Sequence, residues 1–432
     1  MEPRFEITVI GTGMAGLSAA LFAARQGLAT AVVGSSAEII FASGFLDLLG
    51  VHPIEQKRIR NNPWKGLAAL IRDNPKHPYA KMSPKDIAES LETIIAFLQQ
   101  AGLSYCRRPN RNAMVVTPVG TLKPTYAVPQ SMWNGVLAWE EKTPCLIVGL
   151  EGLKGFSARM ITENLRSTWP GLRPVQVSFP ESDTGAELYA ERIARRLDSS
   201  PIRKAFAATV RRRLGAARAV GMPAVLGLYR SAEVFADLEA HIGVPIFEIP
   251  TMPPSIPGLR IKDAFLRELP KLGVRVFAEK KVLAAQHLPE RGFVLDIGAE
   301  AAETVVHSRS VILASGRFLG RGLRAERTRV IETVFDLPVY QASDRASWHR
   351  EKLLDPKGHP IHRAGVEIDD GFRPLTDGRR PAYDRLFAAG SILAHQDWIR
   401  EKCGSGLAVA SARAAVNACL GLETGGEKSP PQ

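Results

Sequence analysis

The chain has 432 residues, 45% of them hydrophobic, which is enough for a large core divided over two or three domains. Mean hydropathy is near zero and no run of about 18 apolar residues exists, so no transmembrane helix is expected. The formal net charge of +12 admits an anionic membrane surface or an acidic partner. It does not favour nucleic acid, because no aromatics interleave with the arginines as a base-stacking platform requires.

In chain order, FEITVI (5–10) is a continuous apolar run, as in a strand buried on both faces. With a strand entered by Phe5, no signal peptide is expected. Gly11, Gly13 and Gly16 follow, spaced G-x-G-x-x-G, and open a helix. Met14, Leu17 and Leu21 give that helix an apolar stripe, and Ala15, Ala19 and Ala23 a small face for close packing. Gly27 ends it and Ala29–Val33 is the second strand. Such a unit places a phosphate at the helix N-terminus. It also expects an Asp or Glu about 20 residues on, to hold a ribose hydroxyl. Here Gly34, Ser35 and Ser36 stand at that strand end, and the nearest carboxylate, Glu38, lies beyond it.

From about 50 to 140 the pattern is irregular, with one clear helix at Asp86–Gln100, capped by Ser83 with Pro84 at its first position. Cys145–Val148 reads as a strand, and Gly149, Gly152 and Gly155 as a packing turn more than a ligand loop. Residues 191–218 hold nine Arg or Lys against two acids, in two short helices broken near Pro201. A solvated face is the simplest reading of this run, and a docking surface for lipid or protein the alternative. Strands Val220–Leu226, Val244–Ile249 and Arg275–Phe277 alternate with helices Ser231–His241 and Ile261–Leu272, which argues for parallel sheets. The proline-rich loop 249–265 sits at a strand's carboxyl end, where open α/β sheets place ligands. Lys281–His287, Phe293–Ile297 and Thr304–His307 read as antiparallel strands, and SVILASG (310–316) as a buried strand stopping at a small-residue turn. A last strand reaches Gly390, and a second glycine turn at Gly404 and Gly406 opens a helix of small residues. Cys106, Cys145, Cys403 and Cys419 form no C-x-x-C pair and no metal spacing, as expected of reduced thiols.

Three glycine turns after strands resemble the flavoproteins with two dinucleotide-binding domains. In those, an Ala-Thr-Gly-type strand end, here Ala314-Ser315-Gly316, closes the nucleotide domain, and the last helix aims its N-terminus at the flavin ring. FASGFLDLL (41–49), VTPVGTLKPTY (116–126), PTMPPSIPGLRI (250–261), LASGRFLGRGL (313–323), LFAAGS (386–391) and CGSG (403–406) narrow the resemblance to the B-type subunit of anaerobic glycerol-3-phosphate dehydrogenase. What the resemblance implies is an α/β fold: a Rossmann-like FAD/NAD(P)-binding domain with a parallel sheet, plus an inserted α/β cap domain. The flavin-binding domain is expected in three parts, 1–50, 258–335 and 381–424, with the cap at 51–257, an irregular connection at 336–380 and a disordered tail at 425–432. The implied function is electron transfer in a membrane-associated complex that oxidises glycerol 3-phosphate to dihydroxyacetone phosphate. The implied partners are a second flavoprotein subunit, a membrane-bound iron–sulfur subunit and the menaquinone pool, on the cytoplasmic side of the membrane. The family is described as using FMN.

The missing acid agrees with FMN, which has no adenosine ribose to grip; FAD is the alternative, and a flavin-free relic the third reading. Gly390-Ser391 points the same way, since related flavoproteins end that strand with Gly and an acid. The expected cofactor-binding residues are Gly11, Gly13, Met14, Ala15, Gly16, Ser35, Ser36, Ser43, Gly44, Ala314, Gly316, Gly390, Ser391, Gly404, Ser405, Gly406 and Leu407. The free N–H groups and positive dipole end at Gly404–Leu407 would stabilise a reduced flavin's negative charge. No catalytic residue is fixed by the pattern. Lys123, Arg260 and Arg400 are candidate cations, and His395 with Asp397 a candidate proton relay. A self-sufficient fumarate-reductase-like oxidoreductase would need a tight His–Arg cradle that the sequence does not display. A non-enzymatic flavoprotein binding an anionic partner rests on charge alone.

Overall fold

The structure, a computed structural model, describes residues 2–35, 39–180, 187–377 and 379–424. Ser36, Glu38 and the tail 425–432 lie outside them. The chain forms two compact units: 1–39, 47–96 and 265–432 make the first, and 40–46 with 97–264 the second. The expected boundaries at 50 and 257 differ from this division, because residues 47–96 find their partners near residue 400. The Asp47 N–H donates to the Ser405 hydroxyl (2.7 Å), the Gly50 and Val51 N–H groups to the Glu401 carbonyl, and Arg413 pairs with Glu89.

Among the described residues, the first unit holds a seven-stranded sheet. Its parallel part runs Arg275–Ala278, Thr30–Gly34, Arg4–Ile10, Thr304–Leu313. Thr304–Leu313 is one ten-residue strand where two were expected, and it uses one edge twice. Residues 304–308 pair antiparallel with Gly292–Gly298, which pairs in turn with Lys281–Leu288; residues 311–313 pair parallel with Leu386–Ala388. The strand is buried almost throughout its second half, as a central parallel strand must be.

Two helices cover this sheet and pack on each other, Met14–Arg25 and Gly404–Thr424. Ala15, Ala19, Ala20 and Ala23 of the first and Ala408, Ala412 and Ala415 of the second are buried, so their backbones approach closely. Gly404–Leu422 is also the one described stretch that by length and composition is long and apolar enough to cross a membrane. Ser405, Ser411, Arg413 and Asn417 interrupt any run of bulky apolar residues, while alanines raise the mean. More than half of the stretch is buried within the protein, which marks a core helix.

The second unit carries a four-stranded parallel sheet, ordered Ile246–Ile249, Ala219–Pro223, Cys145–Leu150, Leu172–Val177. Leu172–Val177 escaped the sequence reading because Arg173 and Pro174 break its apolar pattern, which an edge strand tolerates. Gly149 lies inside a strand with the Gln176 side chain in its Cβ space, a packing role. The basic run does form two short helices, Ala190–Arg196 and Ser200–Arg211. Arg203 departs from the solvated face: it is buried and paired with Asp237 (2.5 Å) and Glu233 (3.0 Å).

Gly11 is held at φ +123°, and a Cβ there would lie 2.1 Å from the Ala314 carbonyl oxygen. Gly11→Ala should therefore lower the unfolding free energy by about 2 kcal/mol or more, read as a reduced urea midpoint by circular dichroism. Gly27→Ala, where no atom lies within 4 Å, strains φ alone and should lose less.

Candidate functional site

Strand ends in the first unit converge on the start of helix Met14–Arg25. Gly13 is its N-cap, in extended conformation and without a side-chain cap, so the first N–H groups of the helix face outward unsatisfied by the helix itself. Around them the backbone is packed too tightly for side chains. A Cβ at Gly11 would meet Ala314, one at Gly16 would meet the Gly11 carbonyl at 1.8 Å, and one at Gly390 would meet the Ala15 Cβ at 2.5 Å. The structure thus gathers Gly11, Gly13, Met14, Ala15, Gly16, Ala314, Gly316 and Gly390 at one end of the sheet. Two hydroxyls are buried there without a partner, Thr12 Oγ1 and Ser315 Oγ. An unsatisfied buried hydroxyl is costly, and a phosphate oxygen accepts from both a hydroxyl and a helix N-terminus. The residues present therefore fit a phosphate group.

The second strand explains its missing acid. At Gly34 a Cβ would stand 2.7 Å from the Thr12 N–H nitrogen and 2.8 Å from Thr12 Oγ1. The strand end closes on the glycine turn, and a side chain at that position would force the Thr12 turn to shift. Ser35 follows it, exposed.

The N-terminus of the Gly404 helix is less open than expected. The Gly406 N–H donates to the Asp47 carbonyl (2.8 Å) and the Leu407 N–H to the Cys403 carbonyl (2.9 Å). Two of the four expected donors are thus used inside the protein. Asp47 clamps this turn from both sides, since its own N–H donates to the Ser405 hydroxyl. Behind the turn lies a buried polar cluster. His77 Nδ1 accepts the Tyr79 N–H (3.1 Å), which puts the ring proton on Nε2, facing Glu401 Oε2 at 3.4 Å. The Cys403 thiol faces the same oxygen at 3.5 Å, and the Asp397 N–H donates to it at 3.1 Å. Burial and the nearby Glu401 push the Cys403 thiol well above its usual range, so it stays protonated. His77, Glu401 and Cys403 bring three potential ligand atoms within 4.8 Å, yet the tautomer leaves no imidazole lone pair for a metal.

Arg317 is a residue the sequence reading missed. Its guanidinium donates to the carbonyls of Ser391 (2.7 Å), Leu393 (3.2 Å), Gln396 (3.0 Å) and His362. It thereby holds the loop that carries Ser391. Only its position in the LASGRFLG segment could have drawn attention to it.

The candidate catalytic residues are differently placed. His395 Nε2 is bonded to Glu367 (2.6 Å) and its ring packs on Tyr340; Asp397 instead caps the short helix Trp398–Glu401, so the two form no relay. Arg400 is tied to the carbonyls of Asp355 (2.6 Å) and Pro356 (3.2 Å). In the second unit Lys123 lies over the Phe45 ring (5.1 Å), and Gly44, at φ +86°, accepts from the Tyr105 hydroxyl, with Ser43 beside it. Arg260 is buried and not a free cation. It forms a two-point ion pair with Glu248 (2.7 and 2.9 Å) and donates to the Leu226 and Gly227 carbonyls. It borders a cavity of about 270 Å³ that Tyr105, Ser131, Phe235 and Glu239 also line.

Arg260→Met should cost about 3–5 kcal/mol by stranding Glu248 in the interior, and adding Glu248→Met should restore much of it, measured by urea unfolding of both variants. Burial holds the His395 imidazole below its ordinary value of 6.5, against the pull of Glu367. The folded state thus prefers the neutral ring. Its contribution to stability is present above pH 6.5 and is lost as pH falls through the lower folded value. The urea midpoint should drop as pH falls below 6.5, and His395→Gln should flatten part of that drop.

Residues 6–407 match the FAD binding domain family. The B-type subunit of anaerobic glycerol-3-phosphate dehydrogenase from Yersinia pseudotuberculosis is 31% identical over 419 residues, covering 95% of this chain and 96% of that protein. The protein of the same name from Vibrio vulnificus (strain YJ016) is 28% identical over 431 residues, covering 97% of each. Among solved structures, 3-ketosteroid Δ1-dehydrogenase from Sterolibacterium denitrificans spans 97% of this chain and 100% of its own, at 12% identity and a TM-score of 0.45, a likeness too loose to transfer chemistry. With glycine turns that fit a phosphate on a mixed α/β sheet and relatives matched along nearly the whole chain, this protein belongs to the FAD binding domain family and, within it, to the B-type subunits of anaerobic glycerol-3-phosphate dehydrogenase, flavin-dependent oxidoreductase components.

Proposed function

We propose that the chain is the electron-transferring flavin subunit of a complex that oxidises glycerol 3-phosphate to dihydroxyacetone phosphate and passes electrons to menaquinone. Its companions in this reading are a second flavoprotein subunit and a membrane-bound iron–sulfur subunit, at the cytoplasmic face of the membrane. The names of the relatives support the substrate and the assembly. The flavin is FMN in this reading, and one observation carries that choice. Gly34 stands where an adenosine ribose would need a carboxylate, and a side chain there would press on the Thr12 backbone nitrogen at 2.7 Å.

Bound flavin would supply reversible two-electron chemistry. The protein's share is to bind and orient it. The uncapped start of helix Met14–Arg25, Thr12 Oγ1 and Ser315 Oγ would hold the phosphate. Ser391, positioned through Arg317 and Gln396, would face the ribityl chain with a hydroxyl in place of an acid. The positive end of helix Gly404–Thr424 would oppose the charge of the reduced ring. Arg260, Arg400 and His395 are each held by partners within their own units, which supports placing substrate oxidation in the companion flavoprotein.

Heat-denatured holoprotein should release FMN on chromatography; FAD released in equal ratio to chain would overturn the choice of flavin. Glycerol 3-phosphate should bleach the flavin rapidly only when the companion flavoprotein is present. Rapid bleaching of the isolated chain would move substrate oxidation here.

A further inference from the structure

Four large apolar side chains of the first unit stand out in water near the start of the Gly404 helix. Leu353 and Leu354 are 85% and 84% exposed, and Trp398 and Ile399 are 37% and 49% exposed. Single exposed leucines are ordinary, but adjacent fully exposed ones on a fixed loop are not. The loop is fixed. Arg400 donates to the Asp355 and Pro356 carbonyls, Gly358 lies against the Arg400 guanidinium, and His359 Nε2 donates to the Leu353 carbonyl. These bonds fasten Leu353–Leu354 beside the helix that bears Trp398 and Ile399. Trp398 also reaches inward, since a Cβ at Gly404 would lie 2.8 Å from its ring. One indole thus spans from open surface to the helix start assigned above to the flavin ring.

The rim of this patch is basic. Lys352 and Lys357 are exposed on the loop against one exposed acid, Glu351, while Arg350 is taken up by Asp355 (3.9 Å) and the Gly358 carbonyl (3.0 Å). A second copy of the chain would bring the same sign of charge, so the rim favours an acidic partner. We infer that Leu353, Leu354, Trp398 and Ile399 form the docking surface for the companion flavoprotein that exchanges electrons with this subunit, a partner with an apolar contact patch and an acidic rim. Trp398 fills the place of a central aromatic anchor, with the lysines outside it steering approach. The inference rests on the flavin-subunit reading above.

The test uses the full holoprotein and the complex co-purified with it from its own host. Hydrogen–deuterium exchange should slow at 351–357 and 398–402 in the complex relative to the chain alone. The variant Leu353→Glu/Leu354→Glu should weaken assembly with the purified companion flavoprotein by about tenfold or more while keeping its flavin absorbance and urea midpoint. A Lys352→Glu/Lys357→Glu variant should slow association and flatten its salt dependence, a result that a merely structural loop would not give. Unchanged affinity in the leucine variant, or protection confined to other segments, would overturn the inference. So would loss of binding to phosphatidylglycerol–phosphatidylcholine vesicles with assembly intact, or loss of a homodimer alone. A chain that carries no flavin when purified would instead sink the flavin-subunit reading, so the two failures are distinguishable.

Discussion

At Gly16 a single added methyl group would sit 1.8 Å from the carbonyl oxygen of Gly11. This near-contact between two stretches of bare backbone fixes everything around it. It seats helix Met14–Arg25 directly on the end of the strand it follows. That seating aligns the helix with the neighbouring strand ends, so Ala314 and Gly390 can close in from their own strands. The same economy of space decides the chemistry. Where backbone meets backbone, the polar groups left over are the outward N–H donors of the helix start and two small buried hydroxyls, a set that suits a phosphate.

Most of this was legible in the sequence because it depends on local grammar. An apolar run, G-x-G-x-x-G and an alanine-rich helix can be read from residues 5–27 alone, and the later strands likewise announce their glycine turns. The pairing of residues 47–96 with residues near 400 was not legible, because it rests on backbone bonds from Glu401 and on Asp47 reaching Ser405, neither of which has a periodicity. The merging of two expected strands into Thr304–Leu313 has a similar origin. Arg309 looks like a break, but one polar residue is tolerated where the strand changes neighbours.

Charged residues were the least readable. Arg260 and Arg203 carried the same surface promise as any arginine in a basic chain, yet each is buried against acids from distant segments, Glu248 for one and Asp237 and Glu233 for the other. Conversely, Arg317 drew no attention and holds four carbonyls at once. The type of a charged residue says little about its role when the partner is supplied by tertiary structure. Gly34 is the opposite case: the sequence showed an absence, and the structure turned that absence into a steric requirement.

The clamp of Asp47 on the Gly404 helix has a kinetic side. Residues 4–50 leave the ribosome long before residues 386–416, yet strand Leu386–Ala388 and the Gly404 helix complete their burial. Contacts of such long sequence separation form slowly and late. During synthesis the glycine turn and its apolar helix must therefore persist without their cover, exposed to aggregation in the manner of any large unfinished α/β sheet. Slow completion of the first unit, more than weakness of its finished core, is then the stage at which this protein is most vulnerable.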